Sequence, residues 1–178
     1  VKRSGERARF NLVVDGARDW APLRHLAPDR VFALHAAKAR IDDTQLRHLH
    51  GITGLQLLDL AGTPVSDAGI VHLLGLERLE HLSLWDTRVT DAGMPLLARM
   101  RSLRHLGLGN TRTTDAGLAP LGQLRDLRVL QLWGTGVTGA GLHHLHGLDK
   151  LEIVQLPWRV RGRQRRVLKR ALPDTLVI

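Results

Sequence analysis

A 24-residue period constrains this chain more than any other feature. Written in rows from Leu55, the sequence gives LQLLDLAGTPVSDAGIVHLLGLER, LEHLSLWDTRVTDAGMPLLARMRS, LRHLGLGNTRTTDAGLAPLGQLRD and LRVLQLWGTGVTGAGLHHLHGLDK, in one register without insertion or deletion. A weaker row, VFALHAAKARIDDTQLRHLHGITG, precedes them from Val31, and a truncated one, LEIVQLPW, follows from Leu151. Self-similarity at such a period marks a solenoid. Each unit is too small to bury its own apolar face and must bury it against its neighbours.

Within a row the periodicity switches. The first half alternates, as in Leu82, Ser83 and Leu84, which predicts a short strand with one buried face. The second half repeats apolar residues at every third place, as in Leu118, Leu121 and Leu124, which predicts a short helix or 3₁₀ segment. Ser66, Thr90, Thr114 and Thr138 stand where an N-cap hydroxyl is wanted, and Gly69, Gly93, Gly117 and Gly141 recur in the turn that follows. Thr63, Thr87, Thr111 and Thr135 fill the column after the strand, where a buried hydroxyl can bond backbone groups left unpaired as the chain turns away. The recurring Asp-Ala-Gly reads as turn chemistry rather than as a catalytic aspartate. Only 3% of the residues are aromatic against 43% hydrophobic, so aliphatic side chains must fill the core. Each fully buried Leu in the stacked column contributes roughly 1.5–3 kcal/mol.

The pattern L-x-x-L-x-L-x-x-T-x-V-T-D-A-G-L resembles the leucine-rich-repeat family, and in particular its bacterial repeats, over residues 31–158. Thr stands where the commonest pattern has Asn or Cys, Thr113 replaces an aliphatic residue and Gly139 replaces Asp. The resemblance implies an α/β solenoid, with a curved parallel sheet on its concave side and short helices or 3₁₀ turns on its convex side. It also implies protein–protein recognition on the concave sheet. Three segments are predicted. Residues 1–30 form an N-terminal cap, with a strand over Phe10–Val14 and a degenerate repeat at Trp20, Leu23 and Leu26. Residues 31–150 form five repeats. Residues 151–178 supply a last strand and a basic capping helix over Arg163–Leu172, stopped by Pro173. Val167, Leu168, Ala171 and Leu172 are expected to face inward, with Leu176, Val177 and Ile178 tucked onto the core. Both ends read as capped, so a complete solenoid is expected.

Several function classes drop out. With no Cys there is no disulfide framework, thiolate zinc site or Cys nucleophile. There is no nucleophile elbow, P-loop, dinucleotide-binding glycine motif or HExxH. No run reaches the ~18 apolar residues of a membrane span. The reading is therefore a non-enzymatic, monomeric binding scaffold without cofactor or metal, located in the cytoplasm, whose partner is a protein or peptide.

The expected binding face follows from strands about 4.8 Å apart, whose third, fifth, seventh and eighth row positions point away from the core. Trp85 and Trp133 share the seventh column two rows apart, so about 10 Å is expected between them, with Gly109 leaving an apolar notch. His81 and His105 stack beside it, and Asp59, Ser83, Asp86, Arg104, Asn110, Gln131 and Trp158 complete the candidate surface. Exposed Trp among Arg and polar neighbours has the composition of an interface hot spot. The competing reading lays the indoles flat over the turn as shields for the core edge. A metal or catalytic role for His81 and His105 with Asp59 or Asp86 finds no supporting pattern. His48, His50, His72, His143, His144 and His146 recur at equivalent places on the outer side, as a duplicated unit would leave them.

The formal net charge of +9 sits at the ends, with +3 over residues 1–30, +1 over 31–150 and +5 over 151–178. Arg159, Arg161, Arg163, Arg165, Arg166, Lys169 and Arg170 form the alternative signal. They could contact nucleic acid or an anionic surface, or simply solvate the capping helix while their stems cover apolar surface. No aromatic interleaves the run, which counts against single-strand binding.

Overall fold

The computed structural model describes residues 10–14 and 19–178; residues 1–9 and 15–18 of the predicted N-terminal cap lie outside it. Eight strands lie side by side in chain order in one sheet. They are β1 (Phe10–Val13), β2 (Val31–His35), β3 (Leu57–Asp59), β4 (His81–Ser83), β5 (His105–Gly107), β6 (Val129–Gln131), β7 (Ile153–Gln155) and β8 (Leu176–Val177). Every neighbouring pair is parallel, and from β2 to β7 the pairing keeps the 24-residue register, with Leu57, His81, His105, Val129 and Ile153 directly abreast. The opposite side carries 3₁₀ turns and the single-turn helices α1 (Asp67–Ile70), α2 (Met94–Leu97) and α3 (Leu118–Leu121), followed by the longer α4 (Arg163–Ala171). No helix among the described residues is long and apolar enough to cross a membrane.

Between the two sides runs one continuous aliphatic core, in which Leu79, Leu84, Leu103, Leu108, Leu127 and Leu132 are completely buried. The threonine column lies at its edge. The Oγ1 atoms of Thr63, Thr87, Thr111 and Thr135 donate to the carbonyls of Leu60, Leu84, Leu108 and Leu132 at 2.6–2.7 Å. Thr113, the one hydroxyl at an aliphatic position, is buried and sits 2.8 Å from the Thr111 hydroxyl, so its polarity is satisfied.

The Asp-Ala-Gly turn is a staple between rows. Asp67 accepts from the Thr90 amide and hydroxyl at 2.9 and 2.7 Å, and Asp43, Asp91 and Asp115 bind Ser66, Thr114 and Thr138 in the same way. Ser66, Thr90 and Thr114 in turn cap the next turn by accepting from the amides of Ala68, Ala92 and Ala116. Thr138 departs from the expectation: it donates to Asp115, and the 3₁₀ turn after it has no side-chain cap. The recurring glycine makes room for the staple. A Cβ on Gly69, Gly93 or Gly117 would lie 2.4–2.5 Å from the carboxylate oxygen of Asp43, Asp67 or Asp91 one row back.

At the N-terminal end Trp20 and Leu23 are buried, but Leu26 is exposed. The C-terminal end corrects two expectations. Only Leu168 and Leu172 of the capping helix are buried, while Val167 and Ala171 face solvent, because a short helix across the end of the column presents just its i, i+4 stripe. The final residues add a strand instead of tucking under. Ile178 exchanges backbone hydrogen bonds with Val154 and Leu156, Val177 packs against the core, and Leu176 and Ile178 stay half exposed.

Candidate functional site

The open face of the sheet collects the side chains that the row pattern points away from the core. A shallow groove of about 260 Å³ runs over its centre, walled by Leu57 and Val129 and floored by Ser83 and Gly107, with His81 and His105 beside it. Gly107 is the low point, because it removes a side chain between Ser83 and Gln131. Gln131 donates through Nε2 to Gln155 Oε1 at 3.1 Å, forming an amide pair along the fifth column. Leu57, Val129, Gly107 and Gln155 were not among the predicted site residues. Their signal lay in the third and fifth columns, but no single one of them is chemically conspicuous.

His81 and His105 stack with ring centroids 4.0 Å apart and planes 13° from parallel. Burial, and then the charge that His81 can carry, hold the His105 imidazole below its ordinary 6.5, against the opposing pull of Glu152 and Glu80. Its Nδ1 is buried without a hydrogen-bond partner. His105 therefore binds its proton less readily beside a charged His81. No group of three or more His, Cys, Asp or Glu among the described residues is arranged to hold a metal ion.

Trp85 and Trp133 correct the expected spacing. Their ring centroids are 6.5 Å apart rather than about 10 Å, and tilted by 30°, because the Trp85 indole leans over the glycine between them. A Cβ on Gly109 would fall 2.1 Å from Trp85 Cδ1, so Trp85 itself fills the expected notch. Both rings nevertheless keep large open faces, with 42% and 51% of their residues' surface exposed. They border a second hollow with Ala61, Ser83, Gln131 and Gln155. The Trp85 indole covers Gly109 underneath, and both rings present apolar surface above.

Four predicted residues have local structural roles. Arg104 pairs with Glu80 at 3.3 Å, at the start of the strands, within a ladder that continues as Arg128 with Glu152. Asp59 accepts from the amide of Ala61 at 3.0 Å. Asp86 and Asn110 hold left-handed backbone, φ 55° and 54°, as do Lys38, Gly62 and Gly134 at the same row position. That column is a turn the chain makes in all five full rows, and Asp, Asn and Gly tolerate it better than other residues. Trp158 is the most exposed of the three rim indoles, 65% accessible, and belongs with the basic C-terminal end. Of the outer histidines, His48, His50 and His72 line a hollow with Arg47 and Val71, and the His143 and His144 rings lie 3.9 Å apart, tilted by 40°.

One all-parallel sheet, a convex row of short turns and a leucine core repeated every 24 residues define a leucine-rich-repeat solenoid. Solved structures share this fold. An internalin of Listeria monocytogenes, inlF, superposes with a TM-score of 0.73 at 18% identity, over 93% of this chain and 46% of its own. This chain thus spans about half the length of that internalin. A second Listeria internalin, inlC2, gives a TM-score of 0.61 at 20% identity, over 92% of this chain and 77% of its own. The ectodomain of the Arabidopsis thaliana receptor kinase GASSHO1/SCHENGEN3, solved with CASPARIAN STRIP INTEGRITY FACTOR 2, gives 0.65 at 19% identity, over 96% of this chain and 20% of its own. No protein-family model and no curated protein sequence matches the chain.

Proposed function

We propose that this chain is a non-catalytic scaffold that binds a protein or peptide on the open face of its sheet. The observation that carries the reading is the Trp85–Trp133 pair, two indoles set on a rigid parallel sheet beside a shallow apolar groove, with more than two-fifths of each residue's surface in water. Large aromatic rings are costly to leave exposed and strong anchors once covered. The stacked histidines, Gln131 and Gln155 offer polar contacts beside them, and the two hollows join through Ser83 and Gln131 into one extended track. Two plant receptor-kinase ectodomains of this fold were solved with a bound partner, in one case a peptide hormone. Arg104, Asp86, Asn110 and Asp59 have structural duties and contribute less.

Selection of a displayed random-peptide library on the immobilised protein tests this. Enriched peptides should compete with one another and lose at least about tenfold in affinity to the Trp85→Ala/Trp133→Ala variant, as removal of hot-spot aromatics does. An unchanged melting curve shows the variant folded. Peptides that bind both proteins equally rule out this face.

A further inference from the structure

The C-terminal end carries seven cations against two acids over residues 151–178, and one of those acids, Glu152, is engaged by Arg128. None of the seven forms an ion pair among the described residues, and they divide into two sets. Arg165 Nε donates to the Val160 carbonyl at 2.7 Å and Lys169 Nζ to the Thr175 carbonyl at 2.8 Å, so these two fasten α4 to the flanking chain. Arg163, Arg166 and Arg170 are exposed, make no side-chain hydrogen bond to the described protein, and fall on one helix face at i, i+3 and i+7. Two of them lie in the first turn of α4, which has no acidic residue, at the helix end that is already positive. The arrangement works against the helix's own stability, which is a reason to look for an anion outside the molecule.

Just before α4 in the chain stands Trp158, with its own pair of cations. The guanidinium carbons of Arg161 and Arg159 lie 5.4 and 6.0 Å from its ring centroid, and Arg161 Nε donates to the Trp158 carbonyl at 2.8 Å, which holds the cation there. No aromatic interleaves the run in sequence, but the fold sets the indole that precedes it against Arg159 and Arg161. An open aromatic face flanked by arginines is what an unstacked nucleobase and its phosphates require. A lipid surface would want an apolar helix face, and α4 exposes only Val167 and Ala171 among its charges.

We propose that the C-terminal end is a second binding surface, separate from the sheet face, for single-stranded nucleic acid. A base stacks on Trp158, and Arg159, Arg161, Arg163, Arg166 and Arg170 take the phosphates. The test is fluorescence anisotropy with a labelled oligodeoxythymidylate about 20 nucleotides long, titrated across salt. Affinity should fall linearly on a log–log plot. The Arg163→Gln/Arg166→Gln/Arg170→Gln variant should flatten that slope by about 2, at ~0.7 per lost phosphate contact, without a lower melting temperature. Trp158→Leu should weaken binding about tenfold at an unchanged slope, and Trp158→Phe, which keeps a stacking face, should retain most of the affinity. Trp85→Ala/Trp133→Ala should bind like the unmodified chain, which separates this site from the sheet face. The proposal is overturned by absence of binding at low salt, by indifference to Trp158→Leu, by equal affinity for a duplex of the same length, or by binding to phosphatidylserine vesicles and not to the oligonucleotide.

Discussion

The two sides of each row obey opposite rules. On the convex side Asp43, Asp67, Asp91 and Asp115 repeat one contact, each gripping a hydroxyl and an amide 23 residues on. Uniformity there is forced, because each turn must fit the row before it and the row after it. The ladder stops where its recipient stops: the next turn position is Gly139, at φ 106°, where a Cβ would meet Gln164 of the cap at 2.8 Å. On the open face the same register yields Leu57, His81, His105, Val129 and Ile153 in one column, and Trp85, Gly109, Trp133 and Pro157 in another. Nothing in the stacking of rows demands that variety. Positions that join rows are uniform, and positions that meet only solvent are free to encode recognition.

That contrast can be broken most sharply with two glycines. Gly93→Val places a side chain 2.5 Å from both Asp67 Oδ1 and Ile70 Cδ1, inside a staple that cannot swing away. We expect a loss of about 3 kcal/mol, the upper range for overpacking, read from urea unfolding midpoints. A loss below about 1 kcal/mol would show the convex ladder to be as adaptable as the open face. Gly109→Ala meets an even closer neighbour, Trp85 Cδ1 at 2.1 Å, but that indole can rotate into solvent. The expected loss is only about 1 kcal/mol, together with a changed near-ultraviolet circular dichroism signal as the Trp85–Trp133 pair separates.

Acid sharpens the comparison with a smaller effect. The folded His105 binds its proton less readily than the unfolded chain, so the unfolded state takes up more protons below pH 6.5 and stability falls as pH drops from there toward the folded value. Burial alone would raise the Asp115 carboxyl, but the Thr138 hydroxyl and the amides of Gly141, Thr138 and Gly139 outweigh it and hold it below 3.8. Its contribution is therefore present above pH 3.8 and lost as pH falls through the lowered folded value. His105→Gln should flatten the first part of the urea-midpoint profile and leave the second intact. An unaltered profile would mean that neither burial nor the neighbouring His81 charge weakens proton binding at His105.

Much of this was legible before any coordinates. Alternation at Leu82 and Leu84 and the spacing of Leu118, Leu121 and Leu124 predicted which side of each row is buried, because burial follows periodicity. The threonine column was readable because a hydroxyl recurring at a strand end must find a backbone acceptor. The Asp–Gly pairing was not readable: both residues fit an isolated turn, and only the neighbouring row reveals that one grips and the other makes room. The site was legible as columns but not as contacts. Arg104 carries no mark in sequence that it answers Glu80, nor Asp86 and Asn110 that their backbone is left-handed, because those constraints come from the adjacent row and from φ.

By itself the sequence determined that this protein is a stack: a strict 24-residue register of leucines has no other way to leave water, since burial follows the pattern of apolar residues. The tertiary structure alone decided where the side chains on the open surfaces came to rest. It brought the Trp85 and Trp133 rings together, with Trp85 over Gly109, and set Trp158 against Arg159 and Arg161. Side-chain direction depends on what the neighbouring turn leaves vacant, and no periodicity encodes that.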